Sequence, residues 1–374
     1  MMIITGICVF IYILMIMYLV YGIKKYQPDT KYKGVLKDNH SFSVIIPCKN
    51  EENRLSSLLG SIKELDYHEG SFELIFVNDH SDDGTYQLIN EFKKQNDRLD
   101  IKLLNNVSST GKKSAIHLGI DRSKYDYIVT TDADCYLPDD WLTGFNQHLN
   151  EKKSAMIIAP VVYSKPNNFL EQFQHDDFLS LQAITVATAQ LHQPILCNGA
   201  NLCYNKSVFY EVSGFEQHQH IASGDDVLLM ESFIKHKFEV DYINKKVRPV
   251  ITQPVSTWKE LLNQRKRWSS KIGNSSNNLN YVLLLAIGSY TFLFLSVLIS
   301  GLFEFSYFQF SMIVILSKWT LDYMLFASLS KKINILLCFR KMMLSSCLYP
   351  LWIVFFSIIS SNKSYIWKNK RINF

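Results

Sequence analysis

The sequence predicts an α/β protein with a mostly parallel sheet in water and transmembrane helices at both ends. Two observations lead there. Residues 1–23 carry no charge, and a second concentration of apolar residues fills 279–362. Between residues 41 and 163, short β-branched runs alternate with amphipathic helical stretches, the signature of βαβ units. The 374 residues, 48% hydrophobic and 20% charged, exclude disorder, collagen-like repeats and a disulfide mini-protein. Lys plus Arg exceeds Asp plus Glu by only five (39 against 34), which gives no reason to invoke nucleic acid.

The first element is a membrane anchor over 1–23, long enough as a helix for a bilayer core of about 30 Å. A secretory signal would have a basic start, a shorter apolar stretch and a small-residue cleavage site, and none is present. Lys24, Lys25, Lys31 and Lys33 follow directly and place that side in the cytoplasm. Strands are then expected at 41–47, 72–79, 101–106, 125–134 and 155–163, with helices at 51–65, 85–95, 112–123 and 139–151. Residues 256–271 read as an amphipathic helix on the membrane surface, its Lys and Arg turned toward headgroups.

Spans follow at 279–303 and 342–362, both free of charge. Between them 305–330 is apolar but carries Lys318 and Asp322, an i, i+4 pair. A salt bridge facing the bundle is the simpler reading; contact with a polar headgroup or acceptor is the sharper one. The basic loop around Lys331, Lys332, Arg340 and Lys341 belongs in the cytoplasm, and so does the tail with Lys363, Lys368, Lys370 and Arg371. One simple crossing cannot satisfy both, so 342–362 is re-entrant or 305–330 is not a full span. The expected organisation is an anchor (1–23), a cytoplasmic domain (24–271), a membrane region (279–362) and a basic tail (363–374).

The seven cysteines are scattered without metal spacing and read as free thiols in a reducing compartment. His218 and His220 have no partners at zinc spacing and read as solvated loop residues. No G-x-G-x-x-G follows the first strand and no P-loop occurs, so dinucleotide and P-loop readings are unsupported. Carboxylates stand at the strand ends instead, where open α/β sheets bind ligands.

Asp132 and Asp134 close a strand, and alternation sends both to one side. Two hard oxygens there suit Mg²⁺ or Mn²⁺ completed by substrate phosphates. Asp79 ends another strand in VNDHSDDGT, with Asp82 or Asp83 left to cap the next helix. Lys112 opens a helix, where a cation opposes the dipole and an anionic ligand would account for it. Asp225 and Asp226 precede a helix, either as capping acids or as a pair containing a general base.

Taken together, IIPCKNEE (45–52), VNDHSDDGT (77–85), GKK (111–113), DAD (132–134), GDD (224–226) and QRKRW (264–268) resemble, in order, the motifs of family 2 glycosyltransferases. These are the membrane-anchored GT-A-fold relatives of cellulose, chitin and hyaluronan synthases and of ceramide glucosyltransferases. The resemblance covers roughly 41–271. It implies inverting transfer from a nucleotide-diphosphate sugar, most often a UDP-sugar, to a lipid-linked or glycan acceptor at a cell's plasma membrane. In that reading Asp79 contacts the nucleotide base, and Pro47 and Glu51 shape its pocket. Asp132 and Asp134 hold the diphosphate through Mg²⁺ or Mn²⁺, Lys112 supports the phosphates, and Asp226 is the base. Gln264 and Arg267 contact the diphosphate and Trp268 stacks on the acceptor, with Asn198, Gly199 and Asp225 on the acceptor side. Asn78, His80 and Asp225 stand where the family usually has Asp, Gly and Glu.

Three functions compete. A single transfer to a membrane acceptor is preferred to a processive polysaccharide synthase that exports its polymer, because about four spans are thin for a channel. A catalytically dead sugar-binding scaffold on the same fold conflicts with retention of every acidic motif.

Overall fold

A computed structural model describes residues 2–29, 38–67, 70–107, 110–216, 224–272, 277–335, 337–360, 364–367 and 370–373. His218 and His220, Lys31 and Lys33, and part of the basic tail lie outside these residues. Helix α1 (Met2–Lys25) precedes β1 (Phe42–Cys48), α2 (Leu55–Ile62), β2 (Phe72–Asn78), α3 (Thr85–Gln95) and β3 (Ile101–Asn105). Next come α4 (Lys112–Asp121), β4 (Tyr127–Thr130), α5 (Trp141–Glu151), β5 (Met156–Ile158), β6 (Val161–Tyr163) and α6 (Phe169–Gln190). The soluble part continues through β7 (Leu202–Asn205), α7 (Lys206–Glu211), α8 (Asp225–Lys235), β8 (Val240–Tyr242), β9 (Val250–Thr252) and α9 (Trp258–Ile272). Three apolar helices, α10 (Asn278–Gly301), α11 (Phe305–Ile333) and α12 (Phe339–Ser360), lead to the hairpin β10 (Ser364–Trp367) and β11 (Lys370–Asn373).

Among the described residues the main sheet has strand order β3-β2-β1-β4-β7-β5-β8. Every pairing is parallel except the two made by β7. The chain runs outward from β1 to β3 and then returns to add β4 on the other side of β1. Strand order therefore switches at β1/β4, and ligands of such sheets bind beyond the strand ends at that point. Because β7 is antiparallel, its entry loop (198–201) reaches the same edge as the exits of β1, β2 and β4. The local sequence explains the layers. Val44, Ile45, Ile46, Leu74, Phe76, Ile128 and Val129 are completely buried on the central strands, as near-continuous apolar runs demand. Ile116 and Ile120 on α4 and Leu55, Leu58 and Ile62 on α2 recur at helical spacing and are buried too.

Two strand expectations change. Residues 155–163 are not one strand: β5 joins the main sheet, β6 pairs with β9 in a second one, and Pro160 between them has no N–H to donate. Its carbonyl instead accepts from Val250 N and from the side chain of Asn201. The strand expected over 125–134 stops at Thr130, and Asp132 to Asp134 form a turn closed by Cys135 N donating to Asp132 O at 3.2 Å. Alternation is therefore not what orients the two acids.

The long α6 has no counterpart among the expected elements. It starts with Asn168, whose side chain accepts from Glu171 N while Glu171 accepts from Asn167 N, a reciprocal cap. Its residues are buried nearly all round because one side packs on the sheet domain and the other on apolar helices, so no single stripe marks it. Gly22 on α1 is the point of closest approach: a Cβ there would lie 2.6 Å from the carbonyl oxygen of Ala187 on α6. Gly22→Val is expected to part the two helices and destabilise the protein by about 1–3 kcal/mol. A thermal shift of the detergent-solubilised protein reads this; an unchanged midpoint contradicts the packing.

Four helices are long and apolar enough to cross a membrane: Gly6–Lys25, Asn278–Gly301, Phe308–Ile333 and Phe339–Ile359, counted among the described residues. Lys318 and Asp322 face the bundle at 2.7 Å, and Tyr12 OH also donates to Asp322 at 2.7 Å. Helix α12 lies across its neighbours. Phe339 meets Tyr323 midway along α11, Tyr349 meets Phe173 on α6, and Trp352 meets Trp258 at the start of α9. Strand β10 then packs against α9.

Away from these features, His148 on α5 is fully buried, with Nε2 2.9 Å from Ser154 Oγ and Nδ1 accepting from Asn244 N at 3.1 Å. Burial, opposed by Asp241, lowers its pKa from 6.5 to about 4. Stability gained by keeping this ring neutral is complete above the unfolded value and is lost as pH falls toward 4. The loss is about 3 kcal/mol at most. His148→Gln is expected to flatten that part of the pH–stability curve; an identical curve contradicts the assignment.

Candidate active site

Four chain segments converge beyond the switch point. Lys112, the first residue of α4, reaches Asp132 at 2.6 Å and Asp225 at 3.6 Å. Burial disfavours its charge, but Asp132, Asp225 and Asp226 together hold its pKa well above the ordinary lysine value. Gly199, in the loop entering β7, packs beneath these groups. A Cβ on it would lie 3.5 Å from Lys112 Nζ and 3.6 Å from Asp225 Oδ2. Its N–H donates to Asp226 Oδ2 at 3.1 Å, and its carbonyl accepts from Thr130 Oγ1 at 2.8 Å. Asn198 builds this turn, its side chain accepting from Ala200 N. The structure thus makes Asn198 the support and Gly199 the floor.

Asp226 sits in the first turn of α8 at 8% exposure, with Oδ1 accepting from Val227 N at 2.8 Å. Each carboxylate oxygen therefore takes one backbone N–H, which fixes the plane of the group.

Asp134 lies across from Lys112. Burial and the neighbouring charge of Asp132 raise its pKa, while Arg54, 4.0 Å away, and Lys112 oppose them. Two carboxylates this close together are a hard-oxygen donor set that fits a divalent cation. Among the described residues no group of three or more His, Cys, Asp or Glu side chains is arranged to hold a metal. Asp132 and Asp134 would therefore share such an ion with phosphate oxygens and water.

On the other flank Asp79 is 2% exposed and engaged internally. It accepts from Gly111 N at 2.9 Å and from the Asn106 side chain at 3.1 Å, with Lys49 Nζ at 3.5 Å. Gly111 takes φ 117°, a conformation that side chains resist, and so brings its N–H onto Asp79. Asp79 thereby holds Gly111, the residue before Lys112. His80, at a usual glycine position of the motif, is itself left-handed at φ 56°. Asp83 rather than Asp82 supports α3, its carboxylate accepting from Thr85 N at 3.1 Å. Pro47 is paired in β1 opposite Val77, and Glu51 N donates to Thr85 Oγ1 at 2.8 Å.

Helix α9 packs beside β6 and α6. Gln264 accepts from Tyr163 OH at 3.3 Å, and Tyr163 lies within electrostatic reach of Asp134. Trp268 packs against Phe178 of α6 and beneath the Arg265 guanidinium, 4.1 Å from the ring centroid. Arg267 is half-buried on the same helix. Arg265 corrects the expectation that the basic residues of this helix turn to headgroups. It is 8% exposed and ion-paired with Asp177 of α6, because a buried carboxylate needs a cation. Sequence reading missed Lys49, Arg54, Tyr163, Asp177 and Arg265. Only the adjacent Asp176 and Asp177 inside an apolar stretch signalled any of them.

Residues 43–212 match the Glycosyl transferase family 2 profile. Poly-beta-1,6-N-acetyl-D-glucosamine synthase of Staphylococcus epidermidis is 31% identical over 143 residues, covering 37% of this chain. That match spans only 33% of the synthase. The probable glycosyltransferase YdaM of Bacillus subtilis is 25% identical over 295 residues, 77% of this chain and 67% of that one. Among solved structures, mannosyltransferase PcManGT from Pyrobaculum calidifontis, in complex with GDP-Man and Mn2+, superposes with a TM-score of 0.56. It covers 88% of this chain and 99% of its own at 15% identity, a likeness of fold. Residues 43–212 are thus similar to the Glycosyl transferase family 2 domain, on a GT-A-like fold joined to apolar helices at both ends.

Proposed function

We propose that the protein transfers a sugar, with inversion, from a nucleotide-diphosphate sugar to a hydroxyl of an acceptor held at the membrane. The arrangement of Lys112, Asp132, Asp225 and Asp226 around Gly199 carries this reading. It gathers one cation and three carboxylates around a residue without a side chain. The acceptor oxygen attacks the anomeric carbon, its proton passes to Asp226, and the bond to the diphosphate breaks with its electron pair leaving on that group. Lys112 faces the departing diphosphate, and Gln264 and Arg267 approach it from α9. Asp132 and Asp134 would hold a Mg²⁺ or Mn²⁺ ion, which when bound would supply Lewis-acid stabilisation of that leaving charge. Asp79, with Pro47 and Glu51, shapes the nucleotide side, and Trp268 offers a ring face to the acceptor. The donor is a UDP-sugar in this reading, and the domain faces the cytoplasm of a plasma-membrane protein with its basic segments inside.

Similarity to a poly-N-acetylglucosamine synthase favours a second reading, processive elongation. Product size separates the two. Purified protein with Mn²⁺, labelled UDP-N-acetylglucosamine or GDP-mannose, and a membrane lipid extract is expected to yield lipid bearing one or a few sugars. A ladder of long products would replace single transfer by the synthase reading.

A further inference from the structure

Helix α6 grips one turn of α9 with two consecutive residues. Asp177 is ion-paired with Arg265, and Phe178 lies against Trp268, ring centroids 6.0 Å apart. Arg265 and Trp268 are three positions apart on α9 and so lie on one face. The Arg265 guanidinium covers the Trp268 ring at 4.1 Å. Trp268 is therefore held by Phe178 directly and by Asp177 through Arg265. Gln264 belongs to the same turn. Its side-chain oxygen accepts from the Tyr163 hydroxyl at 3.3 Å and from Arg265 Nη1 at 3.5 Å. Two donors on one oxygen set the orientation of the amide and turn its NH₂ group the other way, as a donor to an anion. Tyr163 in turn stacks on Phe178, 4.7 Å between centroids, and lies within electrostatic reach of Asp134.

The charge pair is not what docks α9. Gln174 of α6 exchanges two hydrogen bonds of 2.9 Å with the backbone of Val255, and Phe173 meets Trp258 at 5.5 Å. Those contacts fix the start of the helix. Stability does not call for the pair either. Asp177 and Arg265 are 7% and 8% exposed, and taking two charges out of water costs about what their attraction gains. An apolar pair of similar volume would hold the helices at least as well. It could not place a guanidinium over Trp268 and beside Gln264. We propose that Asp177 is a positioning residue for sugar transfer: through Arg265 it sets the Gln264–Trp268 turn at the site without touching donor or acceptor. The inference rests on the transferase reading.

The test uses the full-length protein in detergent and two variants, Asp177→Asn and the double variant Asp177→Leu with Arg265→Met. Asp177→Asn strands a buried guanidinium and is expected to melt lower, whereas the double variant is expected to melt at or above wild type. Both are expected to transfer sugar about 10- to 100-fold more slowly, with nucleoside diphosphate affinity within about threefold of wild type. The two losses should be equal, because both variants cut one link. Fluorine NMR of fluorotryptophan-labelled protein gives a reading independent of turnover. The Trp268 signal, identified by its absence in Trp268→Phe, is expected to shift in Asp177→Asn. A double variant with wild-type turnover makes the pair purely structural and overturns the inference, as does a Trp268 signal that stays in place. A double variant slower than Asp177→Asn by about tenfold or more puts Arg265 on the substrate itself and also overturns it. If Asp177→Asn does not fold, turnover of the double variant decides. Wild-type protein that releases no nucleotide from any donor removes the transferase reading and the positioning role together; wild-type turnover matched by the double variant removes the positioning role alone.

Discussion

Asp226→Asn is expected to lower sugar transfer by about 10³-fold while nucleotide affinity changes by less than about threefold. The asymmetry follows from the placement of the side chain. Its carboxylate is held by Gly199 N and Val227 N and its charge acts on Lys112; in the proposed reading it faces the acceptor. An amide keeps one acceptor oxygen for a backbone N–H but has no basicity toward a hydroxyl proton. It also turns an NH₂ group toward one of the two N–H donors, a local cost that a melting measurement registers separately. Transfer within tenfold of wild type, in protein that melts normally, would show that the proton goes elsewhere.

The second large effect is at Asp134. Asp134→Asn is expected to reduce turnover by about 10²-fold and to raise the Mn²⁺ concentration for half-maximal activity by about tenfold or more. Without metal the same variant should melt no lower than wild type, because burial and Asp132 already oppose the charge on this carboxyl. A residue that gains stability on losing the charge its reaction needs is characteristic of a ligand site. A variant that melts markedly lower, with unchanged metal dependence, would make Asp134 a structural acid instead.

The alternation of apolar strands and amphipathic helices, the charge-free ends and the acidic strand termini were all visible in order along the chain. They fixed the sheet domain between membrane helices and drew attention to Lys112, Asp132, Asp134, Asp225 and Asp226. What stayed hidden depends on contacts between distant segments. Helix α6 shows no stripe because it is covered on two sides, so its role as the joint between domain and bundle could not be read from periodicity. Arg265 reads as one more base on an amphipathic helix until Asp177, 88 positions earlier, is found against it. Asp79 reads as a ligand contact by position, whereas the fold engages its oxygens with Gly111 and Asn106. Pro160, by contrast, could have divided β5 from β6 on sequence alone, since it removes a ladder donor.

The decisive measurement is release of nucleoside diphosphate from a panel of UDP- and GDP-sugars by the full-length protein in detergent, with membrane lipid present. Release from one donor, dependent on Mg²⁺ or Mn²⁺, stopped by chelator and absent in Asp226→Asn, is the predicted result. Nucleotide-sugar binding without release from any donor, under every metal and lipid condition, would contradict it and leave a sugar-binding scaffold on a transferase fold.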